Sequence, residues 1–138
     1  MIEQWLLGIG ATIFGVLGTV HLVFTYFTDK FETYDPQVGN AMRGTSPLIT
    51  PDTSVWLAWI GFNASHSIGA MVFSAIYIYV SVFEYEFLQT SLFLLGLPIL
   101  VGAAYTVLAS LYWFKIPLVG VSVATVCFIG SFILHAGT

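Results

Sequence analysis

Two histidines and a short polar run interrupt stretches that are otherwise apolar. His21 stands in "GTVHLVFTYF" (18–27), and Asn63, Ser65, His66 and Ser67 crowd into "WLAWIGFNASHSIGAMVF" (56–73). An ionisable residue inside a membrane-length stretch is a functional candidate by default. Three chemistries suit these residue types. His21 and His66 could be the axial ligands of a haem, imidazole being a common iron ligand. Gly18 and Gly69, three residues from each, would leave room for the flat macrocycle, and a chlorophyll-type pigment would need only one of the two histidines. Alternatively, Asn63, His66 and Tyr105 could supply hydrogen bonds at the base of an apolar pocket for a quinone or lipid. In the third reading the same groups satisfy one another. An unpartnered polar group in lipid costs several kcal/mol, and each interhelical bond contributes about 0.6–2 kcal/mol.

Composition decides which elements must carry these residues. Of 138 residues 58% are hydrophobic and 7% charged, with a mean hydropathy of +0.93, against about 25% charged in a soluble domain. The solvent of most of this chain is therefore a bilayer. The charges fall at Glu3, between Asp29 and Asp52, at Glu84 and Glu86, and at Lys115. Between them lie four uncharged stretches, about 5–27, 54–82, 88–113 and 116–136. Each meets the ~20 apolar residues that a helix needs to cross the membrane, and none shows the alternation of a membrane β-strand. The expectation is an all-α polytopic membrane protein, a four-helix antiparallel bundle forming one domain over 1–138. The start Met-Ile-Glu-Gln lacks the basic residues of a signal peptide, so the first stretch is expected to be a retained span. The single cysteine, Cys127, allows no intrachain disulfide.

Short connections constrain the packing. Turns at 83–87 and at Lys115-Ile116-Pro117 make the second, third and fourth spans antiparallel neighbours. Pro117 suits a first helical turn. Pro98 lies inside the third span and frees the carbonyl of Leu94, which a neighbouring group must then satisfy. The one sizeable loop, 28–53, reads as an interfacial connector. Asp35-Pro36 looks like a cap and helix start, with a two-turn helix near 36–43 and Gly44 as terminator. Thr50-Pro51-Asp52 offers a start for the next span.

Lys30, Arg43 and Lys115 all fall on the side of this loop. The positive-inside rule makes that side cytoplasmic and both termini external. With four acids and two bases the loop is neither a polybasic lipid clamp nor a nucleic-acid surface. Its bland role is a capped connector, and a docking surface for a partner is the alternative.

Small residues mark candidate contact faces. Gly61, Ser65 and Gly69 repeat at a spacing of four, as do Gly102, Thr106 and Ser110. Such rows let helices approach closely in lipid, either within the chain or against another chain. The first row is expected to knit the second span into the bundle, with Asn63 and His66 on the adjacent side. At about 1.5 Å of rise per residue, counting from the loop puts His21 ~9 Å deep, Asn63 ~13 Å and His66 ~18 Å. The ~9 Å between the histidines weighs against shared haem ligation.

Enzymatic readings find few members. No carboxylate lies within a span, which leaves no paired acid–base site. Ser65, His66 and Ser67 are sequential, so on a helix they point apart. The glycines are scattered, without a phosphate-binding loop.

The runs 18–27, 56–73 and "YWFKIPLVG" (112–120) resemble an uncharacterised family of small bacterial four-helix integral membrane proteins that carry a GFNxSHS motif. A looser likeness to DoxX-type proteins concerns architecture alone. The resemblance implies the four-helix architecture and directs attention to His21, Asn63 and His66. Small extramembrane parts, plentiful small-residue rows and abundant aromatics favour a non-catalytic structural or accessory subunit of a larger membrane assembly, or a homo-oligomer. Its expected setting is the bacterial inner membrane, with lipids and other transmembrane subunits, or further copies of itself, as partners. The alternative is a membrane protein that binds a hydrophobic small molecule or a tetrapyrrole through His21 and His66.

Overall fold

The computed structural model describes residues 1–137, which contain helices and connecting segments and no strand. The helices are α1 (Ile2–Phe27), α2 (Pro36–Gly44), α3 (Val55–Phe83), α4 (Tyr85–Gln89), α5 (Leu92–Tyr112) and α6 (Lys115–Ala136). Four of them, α1, α3, α5 and α6, are long and apolar enough to cross a membrane. The protein is an all-α membrane protein, as its segregated charges require.

Local chemistry sets most of the boundaries. Asp35 caps α2 by accepting from the Gln37 amide at 2.8 Å, with Pro36 at the first helical position. The helix ends at Gly44, as expected, but without a left-handed turn: no described glycine has positive φ, and the chain leaves α2 through an extended Thr45. The start expected at Thr50-Pro51-Asp52 is instead a local turn. There the Thr50 hydroxyl accepts from the Asp52 amide at 3.2 Å. Ser54 caps α3 by accepting from the Leu57 amide.

The 83–87 turn also differs from expectation. Glu84 leaves the helical conformation, α4 adds about one and a half turns, and α5 begins four residues later than the expected 88. Its cap is Ser91, whose hydroxyl accepts from the Leu94 amide at 3.3 Å, a local competition that sequence hydropathy does not register.

The chain divides into two compact units, and α1 and α3 each contribute a segment to both. The larger unit comprises Met1–Leu17 and the chain from Ala70 onward, so it holds segments of all four long helices. Phe14 is its centre, 1% exposed. The Phe14 ring lies 5.2 Å from Phe73, 5.2 Å from Tyr105 and 5.9 Å from Phe128. Leu7, Ala11, Leu95, Val121 and Ala124 belong to the same buried cluster.

Close approach around Phe14 depends on glycine. A Cβ on Gly10 would stand 2.5 Å from the Phe128 ring and 3.0 Å from the Ala124 carbonyl. One on Gly102 would stand 2.5 Å from the Thr125 hydroxyl. The carbonyl released by the buried Pro98 is also accounted for: Tyr77, from α3, donates its hydroxyl to Leu94 O at 3.0 Å. The α5–α6 turn, Trp113 and Phe114 alone, forces those two helices to be antiparallel neighbours.

The smaller unit is Gly18–Gly69: the end of α1, the loop with α2, and the start of α3. Its loop is tied down by Arg43. The guanidinium meets both carboxylate oxygens of Glu32 at 2.7 Å and lies 3.9 Å above the Trp56 ring. Gly39 is buried beneath this clasp, where a Cβ would stand 2.7 Å from the Thr33 hydroxyl and 2.9 Å from the Arg43 guanidinium.

Candidate functional site

The polar run of α3 is largely satisfied by its own helix. Ser65 donates to Phe62 O at 2.9 Å, Ser67 to Asn63 O at 2.9 Å, and the Asn63 amide nitrogen to Trp59 O at 2.8 Å. Back-bonding of this kind is how small polar side chains survive in a membrane helix. On α1, Thr25 does the same, donating to His21 O at 2.8 Å.

One bond of this cluster joins two helices. His21 Nε2 lies 2.9 Å from Asn63 Oδ1, so α1 and α3 are pinned by side chains 42 residues apart. The roles of the atoms follow by elimination. Trp59 O can only accept, so the amide nitrogen of Asn63 faces it and Oδ1 faces His21. Oδ1 can only accept as well, so the proton of neutral His21 sits on Nε2 and its Nδ1 carries the lone pair.

His66 lies beside this bond, its ring centroid 5.4 Å from that of His21. The depth count separated these two rings by ~9 Å, and the direction of the side chains closes the difference. Pairs His21–Asn63 and Phe31–Trp59 run in opposite order along the two strands of chain, so the helices are antiparallel here. Each Cα–Cβ bond tilts toward its own helix N-terminus. His66 therefore leans toward the loop and His21 leans away from it, and the rings converge.

Aromatic side chains wall the pair. Phe31, from the loop, sets its ring edge-on to His21 at 4.7 Å and meets Trp59 at 6.0 Å. Phe62 stacks against His66 at 6.3 Å and 22°. Sequence reasoning passed over Phe31 and Trp59. Trp59 had a signal, since its carbonyl sits four residues before Asn63, where a helical amide side chain reaches back. Phe31 had none, because a loop residue's return over a helix is a tertiary event.

The other expected site residues are placed as follows. Tyr105 belongs to the larger unit, where its ring meets Phe14 at 5.2 Å and Trp113 at 6.3 Å. Thr106 donates to Gly102 O at 2.9 Å and lies 3.2 Å from the Thr125 hydroxyl, so Gly102 and Thr106 do join helices within the chain. Gly61 and Gly69 do not. A Cβ on either would meet nothing within 4 Å, and Ser65 between them is exposed. The row expected to knit α3 into the bundle faces outward, because Asn63 and Ser67 occupy the side that turns inward.

For a tetrapyrrole, two axial imidazoles need ring centroids about 6 Å apart with a nitrogen of each turned to one metal at ~2 Å. The observed pair is closer, at 5.4 Å, and His21 Nε2 is committed to Asn63. The arrangement is set for hydrogen bonding. No group of three or more His, Cys, Asp or Glu able to hold a metal ion occurs among the described residues.

No family model, curated protein or solved structure matches this chain.

Proposed function

We propose that this chain is a non-catalytic accessory subunit of a larger membrane assembly, built with other transmembrane chains or with copies of itself. The observation that carries the reading is the outward row Gly61–Ser65–Gly69. Small residues at a spacing of four allow a second helix to approach to backbone contact, and within this chain nothing uses that space. Phe62 and Ile68 flank the row, 68% and 52% exposed, and supply apolar surface for the same contact. The inward side of the same helix segment is held by Asn63, leaving the outward side to a partner.

The open row makes the test clean. A Cβ at Gly61 or Gly69 meets nothing within 4 Å of this chain, so leucine there is expected to leave the monomer folded and a loss of assembly would report on the partner. On a native gel of gently solubilised protein, Gly61→Leu and Gly69→Leu should migrate as a smaller species while membrane insertion and helicity persist. Wild-type migration of both would refute the subunit reading.

The setting we propose is a bacterial inner membrane, by resemblance to the small four-helix family with the GFNxSHS motif. The loop 28–53 faces the cytoplasm and both termini face outward, in line with the three basic residues on the loop side. A cysteine placed at Thr33 should react with a membrane-impermeant maleimide in inverted vesicles and not in spheroplasts. The opposite pattern would reverse the orientation.

A further inference from the structure

We propose that His21 and His66 form a binding site for the hydroxyl of a phenolic head group on a hydrophobic tail, of the hydroquinone kind. This site shares Phe62 with the assembly surface proposed above, but ligand binding read by titration and assembly read on a native gel fail separately. The argument begins at Trp59 O, which orients the Asn63 amide; the amide orients the proton of His21 onto Nε2. His21 Nδ1 is then a fixed acceptor, and among the described residues it receives no hydrogen bond. A buried or half-buried acceptor in a membrane span selects a donor, and the donor that suits an imidazole lone pair in an apolar setting is a hydroxyl.

The walls choose the shape of the donor. Phe31 stands edge-on to His21, Phe62 lies nearly parallel to His66, and Trp59 closes on Phe31. Flat aromatic head groups gain from such edge and face contacts, whereas an aliphatic alcohol has no ring to offer them. Phe62 is 68% exposed on the outward side of its helix, so a tail leaving the site along it would pass out of this chain. Both histidines are partly exposed, which keeps the site reachable.

One ring in two oxidation states separates this site from general greasiness. A hydroquinone presents two O–H donors, and the corresponding quinone presents only acceptors. The fixed acceptor at His21 Nδ1 should therefore prefer the reduced form, by about five- to tenfold for one hydrogen bond of ~1 kcal/mol. Because Asn63 holds the tautomer, Asn63→Leu should release it, allow His21 to present an N–H, and bring the two forms to near-equal affinity.

The experiment is calorimetric titration of the purified full chain, under argon, with decylubiquinol and separately with decylubiquinone. Tighter binding of the hydroquinone by fivefold or more, reduced to less than twofold in Asn63→Leu and lost in His21→Phe, is the expected result. Equal affinity for the two forms in wild type, tighter binding of the quinone, or no binding of either at 100-fold molar excess would overturn the proposal. The wild-type comparison decides the matter even if a variant fails to fold.

Discussion

Pro98 and Tyr77 form a pair whose energetics can be worked from the structure. Proline at position 98 removes the amide that would bond Leu94 O, and the Tyr77 hydroxyl bonds that carbonyl at 3.0 Å instead. Tyr77 is 5% exposed, so Tyr77→Phe deletes the hydroxyl without giving water access. A buried carbonyl left unpaired costs about 1–3 kcal/mol, while hydrogen bonds measured inside membrane proteins average about 0.6 and reach about 1.7 kcal/mol. We expect Tyr77→Phe to destabilise by about 1–1.5 kcal/mol. In a Pro98→Ala background the new Ala amide reaches Leu94 O, so the same substitution should cost less than ~0.5 kcal/mol, the usual limit of additivity. The assay is a double-mutant cycle by reversible unfolding in mixed dodecyl maltoside and SDS micelles, followed by far-UV circular dichroism. An equal cost of Tyr77→Phe in both backgrounds would refute the substitution of one donor for the other.

Three further outcomes are expected from the same unfolding assay. Gly10→Ala and Gly102→Ala should each destabilise by about 1–3 kcal/mol through overpacking against Phe128 and Thr125, whereas Gly61→Ala and Gly69→Ala, which meet open space, should leave the monomer's stability within ~0.5 kcal/mol. Asn63→Leu should cost about 0.6–1.7 kcal/mol, the range for one interhelical bond in lipid, and a neutral result would mean that the His21–Asn63 bond is not holding α1 to α3.

Tyr85, in the interfacial α4, has its hydroxyl pushed up from the usual phenol range by burial and then by the charge of Glu3. A raised folded value stabilises the protein fully below the unfolded tyrosine value, ~10, and that contribution is lost as pH rises beyond it. Stability should therefore fall as pH rises above ~10. The fall should be shallower in Tyr85→Phe, and identical pH slopes in the two proteins would remove Tyr85 as the cause.

The number of the membrane helices and most of their limits, the start of α5 after Ser91 excepted, were legible in composition, because a charge inside lipid is so costly that the ten charged residues cluster near the ends of the spans. The α2 cap at Asp35 was legible too, since a cap is a bond between neighbours in sequence. Pro98 announced a freed carbonyl, but its donor was silent: Tyr77 lies 17 residues away from Leu94 on another helix. Spacing of small residues was equally mute about direction. Gly61 and Gly69 obey the same four-residue rule as Gly102 and Thr106, yet the first row faces outward and the second packs inside, because a repeat specifies a face and not what the face meets. His21, Asn63 and His66 were each visible as polar groups in apolar runs. That the two rings converge and that one amide fixes one proton were decided by tertiary structure, through the opposed lean of side chains on antiparallel helices, a geometry that counting residues along either helix does not contain.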